Sequence, residues 1–303
     1  MSDAILSHKK SIVYKPNFAE AHNNLGSVLH KLGKFEEAIN EFKQSTKIKN
    51  DYFEAYSNLG NTLSELGRHE EAIDYYQSAI SINSKYVEAY NNLGSALTKL
   101  GRFEEALKFH KMAIEINPKS AEVHNYLGNT FSEMERFKEA FVSYKKAQQI
   151  DPDYSEANLN EGISRLALNQ FEVGWRKYEF RFDKNVSTRN EIGPVKSMRY
   201  ESHKFWDGKY LNGTLLVWSE QGIGDHIFFG SMLSDLKKCA KNIIFEVDKR
   251  LVNLFERFFE KINFHNIKVK STEKKLILGY KKHIPAGSLG QYLRKSINSF
   301  KTS

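Results

Sequence analysis

The sequence predicts an α-helical solenoid of stacked hairpins, followed by an α/β unit built on a parallel sheet. Three observations carry that expectation. Glycines recur at Gly26, Gly60, Gly94, Gly128 and Gly162, 34 residues apart each time, and a self-similar period of this length marks a repeat architecture. Beyond residue 204 the pattern changes to short continuous apolar runs, T-L-L-V-W and N-I-I-F-E-V, each followed by an apolar segment at helical spacing. Charge changes with it: residues 1–170 carry a net −3, residues 171–303 a net +11. Two domains also suit a chain of 303 residues, at about 150 residues per domain.

The chain begins with half a repeat. Moving the period back one step sets Ala4 under Ala38 and Ser11 under Ser45, so residues 3–14, within a segment 1–16, read as the second helix of a hairpin lacking its first. Five repeats of 34 then occupy 17–182. Leu25, Leu59, Leu93 and Leu127 precede the first four glycines, and Ala38, Ala72, Ala106 and Ala140 follow them by twelve residues. These small residues sit where two antiparallel helices approach closely, and Phe42, Tyr76 and Tyr144 fill the gap one turn further on. Gly33, Gly67 and Gly101 supply the left-handed residue that ends each first helix. A lone hairpin cannot bury its apolar face, so neighbours must stack. The fifth repeat departs from the pattern: Gly174 replaces the alanine, and Trp175, Tyr178, Phe180 and Phe182 follow. This aromatic cluster suggests a seam against something else; an ordinary capping helix is the alternative.

This first half resembles the tetratricopeptide repeat (TPR) family over residues 17–182. Its E-A-Y-N-N-L-G style is similar to the TPR arrays of O-GlcNAc transferases, whose asparagine ladder holds substrate polypeptide. Here Asn24, Asn58, Asn92 and Asn160 recur at one helical position, with Ser27, Asn61, Ser95 and Asn129 three residues on, and Tyr126 interrupts the row. A side-chain amide offers both a donor and an acceptor to a peptide backbone. The implied partner is a protein or peptide in the groove; asparagine at this position is also common in such repeats for structural reasons.

Residues 183–204 are polar and contain Gly193-Pro194, which reads as a linker. From 205 onward, strand–helix–strand–helix predicts parallel pairing, and a parallel sheet receives ligands at the carboxyl ends of its strands. The turn S-E-Q-G-I-G-D falls there. A dinucleotide fingerprint fails, because Ile227 takes the third glycine position and Asp225 would oppose a pyrophosphate. Asp225 as a simple helix cap stays open.

A third reading comes from resemblance. The stretch W-D-G-K-Y-L-N-G-T-L-L-V-W-S-E-Q-G-I-G-D, preceded by F-E-V-G-W-R-K-Y-E-F-R-F, looks like bacterial TPR proteins fused to a glycosyltransferase domain. That domain is similar to the heptosyltransferases, of the Rossmann-like two-lobed glycosyltransferase B fold. The resemblance implies inverting transfer from a nucleotide sugar, with Asp225 as general base and Glu220, Gln221, Gly222, Gly224 and His283 beside the substrate. It implies no cofactor. About 90 residues follow Gly213, less than a typical domain. The expectation is therefore an acceptor lobe (205–303) without its donor lobe, inactive alone, or else a non-catalytic TPR scaffold carrying a vestigial lobe.

Other classes are disfavoured. One cysteine, Cys239, allows no internal disulfide framework. No run of about 18 apolar residues predicts a transmembrane segment, and the N-terminus has no signal-peptide core, so a cytoplasmic protein is expected. No metal-spaced His/Cys set, P-loop or nucleophile elbow is present. The basic second half has no RNA- or DNA-binding motif, so no nucleic-acid partner is expected.

Overall fold

A computed structural model describes residues 2–183, 200, 204–219, 223–271 and 277–296. The chain divides into two compact units, Met1–Asp151 and Pro152–Ser303.

The first unit is helical throughout. α1 (Ser2–Tyr14) stands alone, and four hairpins follow: α2 (Ala19–Lys31) with α3 (Phe35–Ile48), α4 (Phe53–Glu65) with α5 (His69–Ile82), α6 (Val87–Lys99) with α7 (Phe103–Ile116), and α8 (Ala121–Glu133) with α9 (Phe137–Ile150). Gly33, Gly67 and Gly101 end the first helices at φ +73 to +74°, and the next amide closes back onto the helix, as Lys34 N–H does on the Leu29 carbonyl. In the fourth hairpin Glu135 takes the same left-handed conformation, φ 57°. The close approach read from the sequence is real. A methyl added to Gly60 would lie 2.6 Å from the Tyr76 ring, and one on Gly26 2.8 Å from Phe42. Ala38, Ala72, Ala106 and Ala140 are wholly buried. Ile5 and Ile12 of α1 pack onto this core, leaving Leu6, Val13 and Tyr14 exposed.

The second unit opens with the fifth hairpin, α10 (Ser155–Ala167) and α11 (Phe171–Tyr178), and a 3-10 turn, Glu179–Phe182. Next come β1 (Leu211–Trp218), α12 (Ile223–Gly230), β2 (Ala240–Val247), α13 (Val252–Lys261), β3 (Ile267–Ser271), β4 (Lys282–Pro285) and α14 (Gly290–Leu293). The sheet order is β3-β2-β1-β4, and every pairing is parallel. The apolar segment after β1 forms a helix only as far as Gly230, which lies against Phe255, and continues as a 3-10 turn, Leu233–Lys238.

The aromatic seam joins this hairpin to the sheet. Leu159, Phe171, Trp175 and Tyr178 share one core with Trp206, Leu215, Val217, Phe245, Ile284 and Leu289. The Trp175 indole N–H donates to the Arg294 carbonyl at 2.9 Å, and a methyl on Gly290 would overlap its ring. The fifth repeat thus has a repeat's sequence but packs with the α/β unit. Of the expected linker, Tyr200 is buried and donates its hydroxyl to Glu246 at 2.8 Å; residues 184–199 and 201–203 lie outside the described residues. Among the described residues no helix is long and apolar enough to cross a membrane.

Candidate functional site

The row of asparagines lies on the first helices of the hairpins. Asn24 on α2 is exposed, and Asn58 on α4 and Asn92 on α6 are half-buried. Two of the three rungs are already engaged. The Asn58 amide donates to the side-chain oxygen of Asn23 at 3.0 Å, and the Asn92 amide to that of Asn61 at 2.8 Å. The Asn61 oxygen also accepts the Tyr76 hydroxyl at 2.9 Å. Each rung therefore ties its helix to the repeat before it. Because no hydrogen bond engages the side-chain oxygens of Asn58 and Asn92 among the described residues, each keeps an acceptor and a second N–H for a ligand. Polar pairs run parallel to the row: His30 Nδ1 with Thr62 at 3.0 Å, and Thr98 with Thr130 at 2.8 Å. The rung side chains are uncharged amides, and one turn earlier on the same face each first helix carries a glutamate, Glu20, Glu54 and Glu88. Asn160 stands on α10, in the second unit.

The residues three positions on have a separate duty. Asn61 and Asn129 accept the buried hydroxyls of Tyr76 and Tyr144, at 2.9 and 3.0 Å. Where the ring is Phe42, the matching residue is Ser27. In the third repeat the ring is His110, paired by position with Ser95, and both its nitrogens are buried without a hydrogen-bond partner. Burial pulls its pKa down from 6.5 to about 4. The interrupting Tyr126 stacks parallel to it, centroids 6.3 Å apart. Sequence reading passed over His110, although the 34-residue period aligns it with Phe42, Tyr76 and Tyr144.

In the second unit, the sheet order turns between β1 and β4, where open α/β sheets bind ligands. Asp225 occupies the first turn of α12, with no hydrogen-bond or ion-pair partner among the described residues. Glu220, Gln221 and Gly222 lie outside the described residues; Gly224 precedes Asp225 in the same helical turn. His226 is buried, and its Nδ1 accepts the Asp248 N–H at 3.2 Å. The Arg250 guanidinium holds Asp248 in a two-pronged contact, both distances 2.9 Å, and this keeps the carboxyl far below the usual range. His283 is set in the core, 0% exposed. Its Nδ1 accepts the Trp218 indole N–H at 3.2 Å, and Tyr200, Phe205 and Tyr280 surround its ring.

Sequence reading also missed Arg181. Its side chain is fully buried between Tyr178 and Phe182, 4.3 and 4.1 Å from their ring centroids. It donates to Glu179 at 2.7 Å and to Ser288 at 2.8 Å, fastening the hairpin to the 3-10 turn Ala286–Ser288 that follows β4. Among the described residues no His, Cys, Asp and Glu cluster could hold a metal ion.

The hairpin stack, its 34-residue period and its polar first-helix face define a helical repeat module. Residues 17–85, 51–119 and 85–153 match the tetratricopeptide repeat model, and the first unit is a TPR solenoid. Protein FlbA of Caulobacter vibrioides is 35% identical over 103 residues, which are 32% of this chain and 16% of FlbA, so the chain spans about a sixth of that relative. Among solved structures, the TPR protein TTC0263 of Thermus thermophilus aligns at 22% identity with TM-score 0.50, over 54% of this chain and 89% of its own. The APC/C hetero-tetramer Cut9–Hcn1 aligns at 16% identity with TM-score 0.54, over 59% and 36%. These structures share the fold.

Proposed function

We propose that the TPR unit holds an extended polypeptide segment of a partner protein along the face of Asn24, Asn58 and Asn92. One observation carries this reading: an uncharged amide rung recurs in each of the first three repeats, and the side-chain oxygens of Asn58 and Asn92 are unengaged among the described residues. A peptide main chain presents donors and acceptors in the same regular way. Selection from a displayed random-peptide library should recover binders, and Asn58→Ala with Asn92→Ala should weaken them by about 1–2 kcal/mol in all, by the net worth of such bonds. Equal affinity for the doubly substituted protein removes the ladder from the binding site. Because both amides also bond the preceding repeat, the same variant should unfold more readily.

A specific observation favours a second role for the α/β unit. The Asp225 carboxylate stands at the carboxyl end of a parallel strand, without a partner among the described residues. There it is suited to take a proton from an acceptor hydroxyl, a poor nucleophile until deprotonated. In the sugar transfer that the resemblance implies, the hydroxyl oxygen attacks the anomeric carbon and the nucleoside diphosphate leaves with the bonding electrons. Asp225→Asn should abolish any turnover of a nucleotide-sugar panel while leaving the melting temperature unchanged. If no turnover appears with the unmodified protein, even with a complementing lobe, the unit is a scaffold.

A further inference from the structure

We propose that His110 and Tyr126 form an acid-sensitive joint between the third and fourth repeats, which loosens when His110 takes up a proton. The inference deepens the partner-binding reading, because Tyr126 occupies the rung position of the fourth repeat. It stands on a comparison the molecule makes with itself. At the equivalent place, the first repeat has an apolar ring, Phe42. The second and fourth have phenols whose hydroxyls are bonded to Asn61 and Asn129. The third repeat alone of these four sets an imidazole there, with two unpartnered nitrogens.

The ring has no room to find a partner. It is 0% exposed, and a methyl on Gly94 of α6 would fall 2.5 Å from its Cε1. From α8 the Tyr126 ring lies offset and parallel to it, 3° between planes and 6.3 Å between centroids. The titratable neighbour on that side is therefore a phenol. Among the described residues no carboxylate or cation acts on His110, and burial is the whole cause of its depressed pKa. A proton on the ring has no carboxylate to compensate it, so the charged form requires water, and water enters if the Tyr126 stack parts.

The sign follows from linkage. The folded state disfavours the proton, so this contribution to stability is intact above pH 6.5 and is lost as pH falls toward 4. Relative to neutral pH, the opened state at pH 5 should gain about 20-fold over the closed one from these two values. His124 on α8 is also shifted down by burial, so the test must isolate His110.

Hydrogen–deuterium exchange on the full chain at pH 7 and pH 5, corrected for intrinsic rates, reads the joint directly. α7 and α8 should lose about 20-fold more protection than α3 and α5, following the same linkage. His110→Phe, which copies the first repeat, should abolish the difference. So should His110→Tyr with Ser95→Asn, which copies the second and keeps the test available if the phenylalanine variant folds poorly. Uniform loss across all four helices in the unmodified protein overturns the joint, as does a difference that persists in either variant. The readout needs no peptide, so failure of the ladder in binding and failure of the joint are distinguishable.

Discussion

Trp175→Ala should lower the unfolding free energy of the second unit by about 3–5 kcal/mol, the usual cost of truncating a buried aromatic. The side chain is 5% exposed and lies against Gly290, a glycine whose hydrogen lets the ring fit. Truncation leaves a void next to Tyr178, whose ring meets Trp175 edge-on at 6.0 Å, and takes the indole donor from the Arg294 carbonyl. Amide exchange under native conditions measures the effect. Loss of protection should reach β1 and β2 as well as α10 and α11, because their side chains share one core. If only α10 and α11 lose protection, the hairpin is a cap that frays independently of the sheet. Trp175→Phe, which keeps most of the volume, should lose less.

How much of this could be read in advance depended on how local each signal was. The hairpins follow from a 34-residue period, and the continuous runs around Leu216 and Ile244 marked strands buried on both faces. β3 and β4 escaped notice. In I-K-V-K-S apolar residues alternate with lysines on an edge strand, and K-H-I-P is four residues long; their places are fixed by pairing with distant strands. The allegiance of the fifth hairpin rests on Trp175 meeting Gly290, which no repeat pattern encodes. At the candidate sites, the identity of Asn58 and Asn92 was visible but their bonds to the preceding repeat were not. A residue type shows what a side chain can bond, whereas partners depend on which helices stack. Asp225 lies in the first turn of α12, and His283 is a core side chain bonded to Trp218, a partner fixed by strand pairing.

The same dependence makes Tyr76 the most telling residue of the first unit. Tyr76→Ala should cost about 3–5 kcal/mol through the cavity left against Gly60, and neighbour-coupled repeats should spread the loss into the adjoining hairpins. Tyr76→Phe keeps the ring, 2% exposed, and removes only the hydroxyl, for about 0.5–1.5 kcal/mol. Its second consequence concerns the ladder. The oxygen of Asn61 accepts from Tyr76 and from Asn92 together, so the hydroxyl in one repeat fixes the acceptor that orients the rung of the next. Burial raises the phenol pKa, which keeps that proton in place. Denaturant unfolding of the two variants separates packing from hydrogen bonding. Side-chain amide NMR of Asn92 then reports the rung, whose resonance should shift in Tyr76→Phe while that of Asn24 stays. An unmoved Asn92 resonance would mean that the rung is positioned by its own helix and that stacking, rather than the relay through Asn61, sets the geometry of the binding face.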